Sequence, residues 1–236
     1  MHGPGDGAQA APSRTVRLSD ALPRALLALT FTTGLIDAAS YLGLGHVFSA
    51  NMTGNVVLLG FGIAGAGGLP IVSPLIAAAT FGFGAGLGGV AIRRVQAPTR
   101  AFVFVVAFEA CVLAAAALLA VVANVRPNAA YGDTIVALLA LAMGARNASV
   151  RRLGVPDLST TVLTMTLTGL TADSRVAGGS GSGTPRRVAA ICAMLAGAIA
   201  GALMLRTTLI LPLALAAALA LLTCLAYART RGAFRS

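Results

Sequence analysis

Asp37, Glu109 and two polar runs near positions 51 and 164 are the residues of this chain whose types and spacing could do chemistry. Asp37 lies deep in an apolar run. On a helix, Thr33, Asp37, Ser40 and Tyr41 fall at i, i+4, i+7 and i+8 and share one face, which should turn away from lipid. A carboxylate there can bind a solute or a proton, or it can serve as a hydrogen-bond hub for the backbone of a broken helix. Glu109 sits mid-run with no basic residue within two turns along the chain, so an unpaired buried carboxyl is expected. Glu109 and His46 are the candidate proton relay. Asp133, beside Tyr131, should be interfacial.

The run after His46 carries Asn51, Thr53 and Asn55, with Asn51 and Asn55 one helical turn apart. A helix starting near Ser49 or Asn51 would aim its free N–H groups and positive dipole end into the membrane, which suits an anion or a polar solute. The same amides could instead satisfy backbone where the chain breaks. A second run answers this one. Thr160, Thr164, Thr168 and Thr171 form a hydroxyl stripe, with Asp157 placed as an N-cap and Asn147 just upstream. Such hydroxyls can line a solute path or bond back to their own helix. Asp37, Tyr41, Asn51, Thr53 and Asn55 are thus expected to face Asn147, Thr160, Thr161 and Thr164 across a substrate site. No metal-ligand cluster, Walker loop, G-x-S-x-G or paired carboxylate spacing occurs, so no enzyme, metal or cofactor is expected.

The elements that must hold these residues belong to a membrane. Of 236 residues, 57% are hydrophobic and 10% charged, and mean hydropathy is +0.88. A soluble domain carries about 25% charged residues to cover its surface. Six stretches, about 22–44, 70–92, 101–124, 131–150, 187–205 and 208–228, have the roughly 20-residue length a bilayer requires. Segments 48–67 and 157–172 are shorter, one broken by Gly and one crowded with Thr, and each reads as a thin full span or a half-helix that enters and returns. Residues 1–20 read as a disordered cytoplasmic tail and 229–236 as a basic one, around a single transmembrane domain at 21–228. Asp20 could cap the first helix, with Pro23 in its first turn.

Arginine placement decides the topology. The net charge of +10 comes from 17 basic residues, all Arg, against seven acidic ones. They cluster at 14–24, 93–100, 146–152, 175–187 and 229–235, without interleaved aromatics, which points to lipid headgroups and topology rather than nucleic acid. If neither short segment crosses, all five clusters share the cytoplasmic side and both termini are inside. The fold class expected is an all-α membrane bundle of six transmembrane helices plus two re-entrant segments. Its halves, about 22–124 and 131–228, would be inverted repeats. Gly34–Ala38 aligns with Gly144–Ala148, and Thr53 with Thr164. Small-xxx-small pairs such as Gly82/Gly86, Gly84/Gly88 and Gly197/Gly201 fit close helix packing or a homo-oligomer. Cys111, Cys192 and Cys224 lie in apolar stretches and are expected to be buried small side chains.

The runs Gly34-Leu35-Ile36-Asp37-Ala38-Ala39-Ser40-Tyr41-Leu42 and Val47-Phe48-Ser49-Ala50-Asn51-Met52-Thr53-Gly54-Asn55 resemble the signature of the YoaK family of small bacterial multi-pass membrane proteins. Gly144 to Ala148, followed by Leu158 to Gly169, is similar to that family's second signature. The resemblance implies an inner-membrane location and one transmembrane domain, and supplies no substrate. The residues themselves point to a channel or secondary transporter of a small polar or anionic solute. The alternative is a non-transporting accessory or assembly module whose polar segments are structural.

Overall fold

A computed structural model describes residues 14–95, 98–123, 125, 127, 129–153, 163–181 and 183–232. The described residues form eight α-helices: α1 (Arg14–Gly43), α2 (Met52–Ile63), α3 (Val72–Arg94), α4 (Pro98–Val122), α5 (Ala130–Leu153), α6 (Leu163–Ala172), α7 (Thr184–Met204) and α8 (Ile210–Gly232). No strand occurs among these residues. Six helices are long and apolar enough to cross a membrane, and α2 and α6 are the two shorter ones. Twelve residues of α2 rise about 18 Å, well short of a bilayer's hydrocarbon core of about 30 Å.

α1 starts at Arg14, earlier than expected. Asp20 therefore lies inside it, and Pro23 sits in its interior rather than its first turn. The helix ends where Gly45 (φ 112°) and His46 (φ 61°) enter the left-handed region, a conformation Gly adopts freely and His seldom does.

Two apolar clusters set the direction of every crossing helix. One gathers Leu26 and Leu29 of α1, Phe102 and Val106 of α4, Val150 of α5, Ala190 of α7, and Cys224 and Tyr227 of α8. The other gathers Leu35 and Ile36 of α1, Ala77 of α3, Leu113 of α4, Ile135 and Met143 of α5, and Leu213 and Ala216 of α8, with Met204 of α7 against it. We call the first the A end and the second the B end. α1, α4 and α7 run from A to B, and α5 and α8 run from B to A. Gly84 abuts Leu141 and Gly88 abuts Ala145, so α3 runs parallel to α5, from B to A.

The chain thus leaves α1 at the B end and enters α3 at the B end, so α2 returns to the face it came from. By the same reasoning α6, between α5 and α7, returns to the A end. Six crossings with two returning segments is the expected architecture. Arg24 in the first half of α1 and the described helix-end arginines Arg93, Arg94, Arg100, Arg151, Arg152, Arg186, Arg187 and Arg229 lie toward the A end, while Arg206, just past α7, lies at the B end.

α1 and α5 form the interior, and α3 and α7 are peripheral. About two thirds of the membrane-spanning windows of α1 and α5 are buried, 67% and 61%, against 22% for α3 and for α7. α1 packs most extensively on α7 and α3 on α5, with α4 on α8 between them. Close approach needs glycine here. A Cβ at Gly34 would strike the carbonyl of Met194, and one at Gly144 the carbonyl of Phe81. Cys224 is buried, whereas Cys111 and Cys192 are exposed on the bundle exterior, because an apolar stretch in a membrane has a lipid-facing side as well as a packed one.

Candidate functional site

Asp37 organises the turn that begins the first short helix. Its Oδ1 accepts hydrogen bonds from the Ser49 backbone N–H (3.1 Å), the Ser49 hydroxyl (3.2 Å) and the Ala50 backbone N–H (2.9 Å). α1 thereby holds the entry to α2 at the depth of Asp37, six residues before α1 ends. Asn51 is the N-cap of α2, and its side-chain oxygen accepts from the Gly54 N–H at 3.2 Å. Asn55 closes the loop on itself. Its Oδ1 accepts from the Phe48 N–H at 2.8 Å, and its Nδ2 donates to the Phe48 carbonyl at 2.6 Å.

This geometry separates the expected site residues. Asn55 is 1% exposed and both ends of its amide are engaged by Phe48, so it is a clasp and not a ligand group. Asn51 and Asn55 do not share a helical face, because Asn51 stands outside the helix as its cap. Tyr41 stacks on Phe48 with ring centroids 4.7 Å apart, and His46 meets Tyr41 edge-on at 5.2 Å. His46 is exposed.

The amino-terminal ends of α2 and α6 come together. Two cavities, of about 560 and 530 Å³, share Phe48, Asn51 and Thr164 in their walls. Thr53 and Phe81 also line the first, and Asp37, Tyr41 and Met194 the second. Asp37, Tyr41, Asn51, Thr53 and Thr164 are therefore brought together as expected, with α7 as an added wall. Phe48, Met194 and Ala198 had not been singled out. Phe48 lies inside the same sequence run as Asn51 and was within reach of the sequence, whereas Met194 reaches the site through its contact with Gly34, far away in the chain, which no local pattern reveals.

Other expectations change. Thr168 donates to the Thr164 carbonyl (2.9 Å) and Thr171 to those of Leu167 and Thr168 (3.2 and 3.0 Å), so these two hydroxyls serve their own helix. Asn147 donates to the Met143 carbonyl at 2.8 Å and lines neither cavity. Thr160, Thr161 and Asp157 lie outside the described residues. Asp133 accepts from the Ser73 hydroxyl at 2.6 Å, tying the start of α5 to the start of α3.

Glu109 is not unpaired. Its Oε1 accepts from the Arg146 guanidinium at 2.8 Å, and both side chains are fully buried. Arg146 also donates to the Leu29 carbonyl at 3.2 Å and to the Thr33 hydroxyl. It was grouped with Arg151 and Arg152 as a topology anchor. It lies a full turn earlier on α5, on the face packed against α4 and α1, which spacing along one helix cannot reveal. The pair sits at the boundary of the two apolar clusters, away from both cavities and from His46, so Glu109 and His46 are not joined in a relay.

Arg187 of α7 fixes the other end of α6. Its guanidinium donates to the Gly169 carbonyl and to Asp173 Oδ2 (2.7 Å), a cation placed at a helix carboxyl end.

Against known proteins, the family model described as "Protein of unknown function (DUF1275)" matches residues 25–228. The UPF0700 transmembrane protein YoaK of Bacillus subtilis (strain 168) is 33% identical over 151 residues, covering 61% of this chain. The match spans 64% of that curated relative's length. No solved structure matches.

Proposed function

The chain belongs to the DUF1275 family, and from that premise we propose that it is a channel or secondary transporter for a small polar solute. The observation that carries the reading is the pair of returning helices whose amino ends share cavity walls, at Asn51 and Thr164, beside the buried Asp37. Helices broken at mid-membrane, with cavity-lining backbone between them, are how many transporters build a solute site. An anionic solute has less support than a neutral or cationic one. Of the amide groups at the entry to α2, those of Ser49 and Ala50 are taken up by Asp37 and that of Gly54 by Asn51, while those of Met52 and Thr53, bordering the first cavity, have no partner among the described residues. What disfavours an anion is the Asp37 carboxylate on the second cavity.

The halves are inverted repeats in this proposal. Gly34 meets Met194 and Ala198, and Gly144 meets Phe81 and Ala85, contacts that exchange when 110 is added on α1 and 113 on α3. Gly197 against Phe31 and Gly84 against Leu141 exchange in the same way. The A end, which collects most of the arginines, would be the cytoplasmic face of a bacterial inner membrane.

The test is uptake in proteoliposomes. Thr164 makes no side-chain hydrogen bond among the described residues and is exposed in the cavity wall, so Thr164→Val should lower uptake without lowering the yield of folded protein. Asn55→Ala should lower both together, since it opens the Phe48 clasp. Normal uptake by Thr164→Val would sink the reading. An accessory role draws support from the internal bonds of Asn55, Thr168 and Thr171, and predicts no flux in the wild type.

A further inference from the structure

Asp37 has one oxygen to spare. Its Oδ1 carries three hydrogen bonds, while Oδ2 carries none among the described residues. The residue is 6% exposed, and it lines the cavity of about 530 Å³. No basic side chain is among the described residues lining that cavity. The Arg146 guanidinium reaches Thr33, one turn along α1, but it is matched by Glu109 and fully enclosed. α7 presents Met194 and Ala198, which are neutral, and α6 presents Thr164. His46 touches the edge of Tyr41 and is not in the wall.

A buried carboxylate facing a void without a cation is a demand for one. The wall beside it is aromatic. Tyr41 and Phe48 stack at 4.7 Å with their planes 22° apart, and both border the same cavity. Aromatic faces attract cations, most strongly where water is scarce. Asn51 and Thr164 add neutral oxygens that can accept from N–H donors. The positive end of α2 does not reverse this sign, because its open amides, Met52 and Thr53, border the other cavity and not this one, and Asn51 Oδ1 already accepts from Gly54.

We propose that this cavity binds a small organic cation, a primary ammonium on a short carbon chain, with Asp37 Oδ2 as counter-charge and Tyr41 and Phe48 as its aromatic wall. The proposal rests on the transport reading for the solute's route, and not for its binding. The ammonium donates to Oδ2, to the Asn51 side-chain oxygen and to the Thr164 hydroxyl, and its carbon chain lies along Met194 and Ala198. An anion of the same size meets Oδ2 and is repelled. A neutral amide loses the charge-assisted bond.

Ethylammonium, acetamide and acetate are nearly equal in size and carry +1, 0 and −1. Binding of each to the full chain in lipid nanodiscs, and its flux into proteoliposomes, should favour ethylammonium over the other two by at least roughly tenfold. Asp37→Asn keeps the oxygen that Ser49 and Ala50 need, so it should fold and bring ethylammonium down to the acetamide level. If that variant fails to fold, Tyr41→Leu and Phe48→Leu supply the test, each weakening ethylammonium more than acetamide. Preference for acetamide or acetate, or a preference that survives these substitutions, overturns the proposal. Binding of ethylammonium without flux would remove the transport reading and leave the site standing. Flux of acetamide without ethylammonium preference would do the reverse, and neither binding nor flux would remove both.

Discussion

Glu109 and Arg146 form a salt bridge in apolar surroundings that cannot hydrate either group, and each is tolerable there because of the other. Pairing does not satisfy everything: Glu109 Oε2 and Arg146 Nε have no partner in their buried site. Removing one member is therefore costly and removing both is not. Glu109→Ala should cost about 3–5 kcal/mol by stranding the guanidinium, read as a lowered thermal unfolding temperature in detergent. Glu109→Leu with Arg146→Met should recover most of that loss. Equal losses for the single and double variants would mean that the pair contributes net stability. Asp37 is the contrasting case, a carboxylate half used by the backbone of the next segment and half left to a cavity. Asp37 could be picked out in the sequence because its stripe with Thr33, Ser40 and Tyr41 lies on one helix. The role of Arg146 could not, because its partners come from α4 and α1, far away in the chain.

At the scale of elements, glycine decides how close helices come. Gly34 and Gly144 lie where a Cβ would meet backbone oxygen of α7 and α3, and backbone cannot rotate aside as a side chain can. Gly34→Ala and Gly144→Ala should each lower the yield of folded protein sharply. Gly82→Ala and Gly86→Ala, where a Cβ meets nothing, should change stability by about 0.5 kcal/mol or less and leave that yield near wild type. Matching losses in both pairs, scored by size-exclusion of the folded fraction, would contradict the packing described. The helices themselves were legible, because spanning length and apolarity are properties of a contiguous stretch. Boundaries moved where the competing signal was local: Asp20 and Pro23 read as a helix start, yet the chain is already helical from Arg14. The Thr run was legible as a stripe, but which of its members border a cavity was not: Thr164 does. Hydroxyls on one face can serve a solute or the preceding carbonyl, and Thr168 and Thr171 took the carbonyl.

For the whole molecule, the arrangement of ends explains why two short helices need not cross. α1 delivers the chain to the B end, α2 turns inward and back, and α3 leaves from the same end; α5, α6 and α7 do the same at the A end. Every returning segment then brings its amino end toward the middle, where Asn51 and Thr164 border shared cavities. Arginine counting reached the same topology from charge alone, although Arg146 proved to be a core residue and not one of the anchors. The measurement that tests this arrangement most directly is side-specific thiol labelling. The three native cysteines are removed, and single cysteines replace Ala10, ahead of α1, and Ala97, between α3 and α4. Each is then exposed to a membrane-impermeant reagent in right-side-out and inverted vesicles. Two crossings separate these positions if α2 returns to its own face, so both should label from the same side. Labelling from opposite sides would mean that α2 spans the bilayer, and the mid-membrane meeting of α2 and α6 would be lost with it.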